Sequence, residues 1–252
     1  MACAGMSKSM PLNIPLEQAE PSFFYSYPGE GGLIFIGAAG RRSNPNETLR
    51  LALEDAGRRV ALFNQVSGEY AMENYVGSGA FDYIYNTHTV LYYNEESALQ
   101  YVDSLQYDAD TDTVLIDNTF FIRTVYTSAL SFPVNFRPTY SGENKKPDWI
   151  DNPPLAIDGY EVGIGFSARY ASVADTYNNS RNNAIFAIIR NVNSTSQGSD
   201  LLYQNTGNLF GYKTSNENIV YSFGTLNGFY VLDTWFDPVN KTVWTLAIAN
   251  KL

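Results

Sequence analysis

The segment Val162-Gly-Ile-Gly-Phe-Ser-Ala-Arg169 sets glycines at 163 and 165 and an alanine at 168 just ahead of a helix-like run. G-x-G-x-x-A at a strand-to-helix turn is the pattern by which backbone amides approach a dinucleotide pyrophosphate. Asp108-Ala-Asp110-Thr-Asp112 opens like a calcium loop, but Thr113 stands where the loop needs glycine and Thr119 where it needs a bidentate glutamate. His88 is the sole histidine, so no Ser-His-Asp, Cys-His or histidine-based zinc constellation extends beyond one imidazole. Next to Asn86 and Thr87, ahead of a strand, it reads as a surface or cap residue. Glu54-Asp55 and Glu95-Glu96 are adjacent carboxylates, and adjacency does not set two carboxyls across a cleft as glycoside hydrolysis requires. They read as solvated helix and turn surface.

Self-similarity decides how the glycines are read. Ile36-Gly-Ala-Ala-Gly-Arg41 and Ile164-Gly-Phe-Ser-Ala-Arg169 both spell I-G-x-x-x-R, at a shift of 164 − 36 = 128. Only Gly37 and Gly165 coincide, whereas Gly163 falls on Phe35, so Gly165 is expected to end a strand or admit a helix, and no cofactor is expected. The same shift carries Asn44-Pro45-x-Glu47-Thr48 onto Ser172-Val173-x-Asp175-Thr176. Asn44 and Ser172 are read as N-caps, Glu47 and Asp175 as third-position carboxylates, and Pro45 as a first-position residue. Arg41 and Arg169 therefore sit at matching strand-to-helix junctions. They could bind an anion with the helix start, but an ion pair to Glu47 or Asp175 is the favoured reading.

These motifs need elements to hold them. Helices are predicted over 46–65 and 174–191, each with an apolar stripe: Leu49, Leu53, Ala56, Val60 and Phe63 in the first, Tyr177, Arg181, Ala184, Ile188 and Val192 in the second. Likeness resumes at a shift of 129, with Val90-Leu-Tyr92 on Ile219-Val-Tyr221, Tyr101-Val102 on Tyr230-Val231, and Tyr107-Asp108 and Thr113-Val114 on Phe236-Asp237 and Thr242-Val243. Strands are predicted at 31–39, 87–93, 99–107 and 113–123, matched by 159–167, 217–224, 228–236 and 242–249. Residues 94–105 could form a capped helix, but their repeat partner, 228–236, is strand-like, and the strand is preferred. The fold class that follows is α+β, two tandem β-α-β-β-β units, each a mainly antiparallel sheet packed against one long helix. The expected boundaries are a tether at 1–20, a first unit with its connector at 21–146, and a second unit at 147–252.

Apolar residues form 44% of the chain and charged residues 17%, which argues for a folded chain rather than disorder. The net charge of −10 argues against nucleic acid, and no apolar run reaches the roughly 20 residues of a membrane span. Cys3 is the only cysteine. It is expected to be the lipidated cysteine of a bacterial lipoprotein, followed by a polar, proline-broken tether, with the membrane reached through that lipid alone.

Pro147-Asp-Trp149, Gly159-Tyr-Glu-Val-Gly-Ile-Gly165 and the Ala/Ser-spaced helix that follows resemble the LPP20 family of bacterial lipoproteins. The second unit carries the likeness better, since the first has Phe23 in the place of the tryptophan. The resemblance implies small α+β envelope modules with no catalytic residue to carry over, and it maps only Cys3, to the lipid attachment site. The expected function is accordingly non-enzymatic: an outer-membrane lipoprotein, periplasmic or surface-facing, offering a structural or protein-binding surface to an unidentified envelope partner or surface ligand. The alternative is a glycan- or peptide-binding module using Asp175-Thr-Tyr-Asn-Asn179 and Tyr203-Gln-Asn-Thr-Gly-Asn-Leu-Phe210. A hydrolase with an unrecognised carboxylate pair comes third.

Overall fold

The structure, a computed structural model, describes residues 10–27, 32–76, 83–127, 134–196, 202–205 and 216–250. The first half runs β1 (Asn13–Ile14), α1 (Pro21–Phe24), β2 (Leu33–Gly40), α2 (Pro45–Asn64), β3 (Val66–Val76), β4 (Tyr83–Tyr92), α3 (Glu95–Val102), β5 (Leu105–Gln106), β6 (Thr113–Ile116) and β7 (Thr119–Tyr126). A connector holds β8 (Tyr140–Ser141), β9 (Lys146–Pro147) and a 3-10 turn at Asp148–Ile150. The second half runs β10 (Ala156–Ile157), β11 (Tyr160–Ser167), α4 (Val173–Ser196), β12 (Leu202–Asn205), β13 (Asn216–Leu226), β14 (Tyr230–Asp237) and β15 (Thr242–Ala249). The fold is α+β. No helix among the described residues is long and apolar enough to cross a membrane.

In each half the strand before the long helix pairs antiparallel with the last strand, β2 with β7 and β11 with β15. The helix then packs on that pair so closely that a side chain has no room. A Cβ on Gly37 would lie 1.9 Å from the Ala52 carbonyl oxygen and 2.8 Å from the Ala56 nitrogen; one on Gly165 would lie 1.8 Å from the Ser180 oxygen and 2.4 Å from the Ala184 nitrogen. The shift of 128 maps all three residues of one contact onto the other.

The helix starts match in the same way. Asn44 accepts from the Asn46 amide at 3.0 Å, and Ser172 from the Asp175 amide at 3.1 Å. Thr48 accepts from the Arg42 amide at 2.9 Å, and Thr176 from the Tyr170 amide at 3.0 Å; each hydroxyl in turn donates to the carbonyl of its cap residue. Orphan amides at both starts are thus satisfied by equivalent side chains. Strands predicted at 31–39, 159–167, 217–224, 228–236 and 242–249 meet β2, β11, β13, β14 and β15 to within two residues at each end.

After the helices the halves diverge. The predicted strand at 99–107 is largely the helix α3: Asn94 accepts from the Ser97 amide at 3.0 Å, and Glu95 and Glu96 occupy the first turn, where a carboxylate meets the helix dipole. Gly57 lets α3 dock, since a Cβ there would lie 2.4 Å from the Ala98 oxygen; its repeat partner is Ile185, which has no such slot. The predicted strand at 113–123 is the hairpin β6–β7, turned at Asp117 and Asn118, whose positive φ values of 44° and 60° suit a two-residue turn. Because Arg123 faces Ile36 and Leu246 faces Ile164, the last strands correspond at a shift of 246 − 123 = 123, not 129. Thr113-Val114 and Thr242-Val243 are therefore not equivalent.

A further sheet, in the order β12-β13-β3-β4, takes strands from both halves, with β3 and β13 paired from Val66–Leu226 to Val76–Asn216. The lead of the first half also crosses over. Phe24 of α1 is 1% exposed among Phe121, Tyr177 and Phe236, and the Ser26 amide donates to the Leu232 carbonyl of β14 at 2.8 Å. Ile36 and Phe121 of the first half share one core with Tyr177, Phe236 and Val243 of the second.

Candidate functional site

An edge strand leaves a row of backbone groups that must be satisfied or hidden. β2 ends its sheet, and three of its outward-facing groups, one each at 34, 36 and 38, are met by side chains. The Ile34 amide donates to the Tyr230 hydroxyl at 3.0 Å, the Ile36 carbonyl accepts from Arg181 Nη1 at 3.1 Å, and the Ala38 amide donates to Asp55 Oδ2 at 3.0 Å. Two of these three partners come from the second half. Burial pushes the Tyr177 and Tyr230 phenols up, so both are neutral at physiological pH.

Asp55 and Arg181 belong to one charged cluster. Arg59 Nη2 donates to Asp55 Oδ1 at 2.7 Å and to Asn178 Oδ1 at 2.8 Å, Arg181 Nη1 lies 3.7 Å from Asp55 Oδ2, and the Arg181 guanidinium stacks 4.4 Å from the Tyr177 ring centroid. Asp55 is 3% exposed and Arg181 2%. The solvated surface expected of Glu54-Asp55 thus fails at Asp55, and Glu54, its side chain only 17% exposed, pairs with the exposed Arg50. The stripe of α4 packs on β11 and β15, and Arg181 lies where that helix passes the edge of β2 and can reach the Ile36 carbonyl. In the second half Asn183, 128 residues after Asp55, donates through Nδ2 to the Phe166 carbonyl at 2.7 Å, and Phe166 is 128 after Ala38. The same helix position reaches the same strand position in both halves.

Above this cluster α2, α3, α4 and the end of β4 enclose a cleft of about 590 Å³, within the size range of small-ligand pockets. Arg58, Arg59, Tyr93, Glu95, Asn178 and Asn182 are among its lining residues. Burial, with Glu95 nearby, holds the Tyr93 phenol above its ordinary range. Arginine, carboxylate, amide and phenol groups together suit hydrogen-bonded recognition of a polar ligand. No family model matches this chain, and no curated protein or solved structure matches it either.

The residues singled out by sequence are scattered. Gly163 and Gly165 both face α4, the former with the Ala184 oxygen 2.4 Å from where its Cβ would be, so close helix packing accounts for both glycines. Arg41 and Arg169 are exposed, and neither forms the expected ion pair: Ser172 donates to Asp175 Oδ2 at 2.6 Å, and Glu47 is exposed. Among the described residues neither arginine is in a salt bridge; Arg169 instead lines a separate groove of about 500 Å³ with Asn118, Ser172 and Lys241. The loops at 108–112 and 237–241 are closed by their own polar groups, Asp110 N donating to Asp108 and Asn240 Nδ2 to Asp237, at places that are not equivalent. Among the described residues no group of three or more His, Cys, Asp or Glu could hold a metal. Asp175–Asn179, read as a binding loop, lies within α4, and Asn178 does reach the cleft. Cys3, the His88 side chain and residues 206–210 lie outside the described residues.

A second buried carboxylate was missed as well. Asp233 accepts from Trp149 Nε1 at 2.7 Å and from the Tyr140 hydroxyl at 2.9 Å, fastening the connector to β14 next to a register shift between Val231 and Asp233. Burial pushes its carboxyl up to about 7, against the lowering effect of the two side-chain donors. A carboxyl raised above its unfolded value near 3.8 contributes stability that is complete below that value and is lost as pH rises through about 7. Asp233→Asn is therefore expected to flatten the pH dependence of the urea midpoint, the wild type losing about 2–3 kcal/mol relative to it between pH 5 and 8. Parallel profiles for the two proteins would contradict this.

Proposed function

We propose that this chain is a non-enzymatic, lipid-anchored bacterial envelope module of the LPP20 kind, and that its binding surface is the cleft between α2, α3 and α4. The cleft carries the reading. Its floor is a cluster contributed by both halves, so Asn178 and Arg59 are held in one geometry before any partner arrives, which lowers the ordering cost of binding. The buried charges of that floor bond to each other and to the β2 backbone, a holding role, while the rim presents mixed polar groups to solvent. Nine residues lie between Cys3 and Asn13 of β1. A lipid on Cys3 would hold the folded body within about 35 Å of the membrane.

Two measurements test this reading. Cells expressing the complete gene are labelled with an alkyne fatty acid: the wild type should take up label and partition into detergent, and Cys3→Ser should not. Unlabelled wild type in the aqueous phase would remove the anchor. A photo-crosslinking residue at Asn182 should trap an envelope component that one at Arg50, on the outer face of α2, does not; equal yields would retire the cleft as the binding surface. A glycan or peptide ligand is the second reading, favoured by Asn178 and Asn182 one helical turn apart beside Tyr93. In glycan and peptide arrays it predicts hits weakened at least tenfold by Asn178→Ala.

A further inference from the structure

We infer that the seam between the halves binds a small monovalent anion of halide size, in a cavity of about 20 Å³ bounded by Arg59 and Arg181. The proposal goes beyond the cleft reading, and the two are decided by separate measurements.

The first observation is charge. Arg59 and Arg181 both pair with Asp55, which sets one carboxylate against two guanidinium ions. The Asp55 and Arg181 side chains are 4% and 2% exposed, and that of Arg59 is 12% exposed. The other residues around the cavity bring no ionised group: Ser26 is a hydroxyl, Tyr177 a neutral phenol, and the rest are apolar. Arg58, Glu95 and Glu96 line the cleft above rather than the cavity. The three side chains carry a net charge of +1, and no further carboxylate lines the cavity; Glu95 and Glu96 lie on the cleft side of Arg59, so a small anion is favoured on the cavity side of the two guanidinium groups.

The second observation is hydrogen bonding. A guanidinium has five N–H donors. Arg59 directs Nη2 to Asp55 and Asn178, yet its Nε is buried with no hydrogen-bond partner, the sole such side-chain atom among the described residues. Arg181 directs Nη1 to the Ile36 carbonyl. A buried donor without an acceptor calls for a guest able to accept.

Size and access narrow the guest. The cavity exceeds the ~10–15 Å³ needed for one water-sized occupant and is far too small for a phosphate or carboxylate ligand. Water would satisfy a donor but not the charge, whereas a monatomic anion does both. Arg59 and Leu62 line the cleft as well as the cavity, so only these side chains stand between the cavity and the cleft floor.

The test uses the full chain and the ions themselves. Its thermal midpoint should rise with the logarithm of chloride concentration when sodium chloride replaces sodium gluconate at constant ionic strength, as for any ligand that binds only the folded state. Crystals soaked in bromide should show an anomalous peak between Arg59 and Arg181. Arg181→Met leaves Asp55 and Arg59 as a neutral pair, so it should keep the fold while losing both the chloride response and the peak. Should that variant fail to fold, the wild-type bromide map still decides. A cavity without bromide, or bromide confined to exposed arginines such as Arg41 and Arg169, would overturn the proposal whatever the salt effect; so would an unchanged midpoint on exchanging chloride for gluconate.

Discussion

Asp55→Ala is expected to destabilise the protein by about 3–5 kcal/mol, the cost typical of removing one partner of a buried ion pair. The truncation leaves Arg181 and Arg59 facing each other without a counter-charge. It also strips the Ala38 amide on the edge of β2 of its acceptor. Asp55→Asn separates these two effects, because its side-chain oxygen can still accept from Ala38 while the negative charge is gone; an intermediate loss is expected. Urea unfolding of the three proteins at one pH checks the order. Glu54→Ala, one residue away and paired only with the exposed Arg50, should change stability by no more than about 1 kcal/mol. Equal effects at 54 and 55 would contradict the burial on which the seam depends.

Gly165→Ala and Gly37→Ala should each cost more than about 3 kcal/mol, beyond the ~1–3 kcal/mol usual for overpacking a core with side-chain atoms. Here the added methyl meets backbone: the Ser180 carbonyl at 1.8 Å or the Ala52 carbonyl at 1.9 Å. A side chain could swing aside, but a helix backbone can give way only by moving bodily, and α2 and α4 are pinned at their caps and by the Asp55 and Asn183 bonds to the strands below. Gly40→Ala is the control, since a Cβ there has nothing within 4 Å. It should unfold within about 0.5 kcal/mol of the wild type. If Gly165→Ala were as mild as Gly40→Ala, the close strand–helix contact would not be what the glycine at 165 is for, and a ligand-facing role for Val162–Arg169 would return.

The parts of the fold legible in the sequence were those specified locally. Cap residues, first-turn carboxylates and apolar stripes fixed α2 and α4, and the shift of 128 carried their start chemistry and their glycine contacts together. What remained hidden was non-local. β3 joins a sheet whose other central strand lies in the second half, and pairing over that distance leaves no trace in either segment alone. For residues 94–105 the repeat was the wrong guide: the local cap at Asn94 and the slot at Gly57 prevailed over the strand-like partner at 228–236.

The buried cluster was obscured for a related reason. Glu54-Asp55 read as a hydrophilic pair, yet Asp55 falls between Ala52 and Ala56 on the buried side of α2 and lies one turn before Arg59. Arg181 within an apolar stripe was the matching signal on α4. Arg181 inside the stripe of α4, with Asp55 beside the stripe residue Ala56 on α2, was the clue that the helices share a polar contact. Asp233 had a weaker one, an acid in the middle of the aromatic strand Tyr230–Asp237, and its donors Trp149 and Tyr140 lie more than 80 residues away in sequence.

A buried polar seam, Asp55 of one half against Arg181 of the other, joins the halves and underlies the floor of the cleft. A double-mutant cycle over Asp55→Ala and Arg181→Met, read by urea unfolding, decides whether it exists. The seam predicts a coupling of at least about 1 kcal/mol, with the double variant more stable than Asp55→Ala alone because the unmatched guanidinium is gone. Effects that simply add, to within about 0.5 kcal/mol, would mean the two residues do not act on each other and would contradict it.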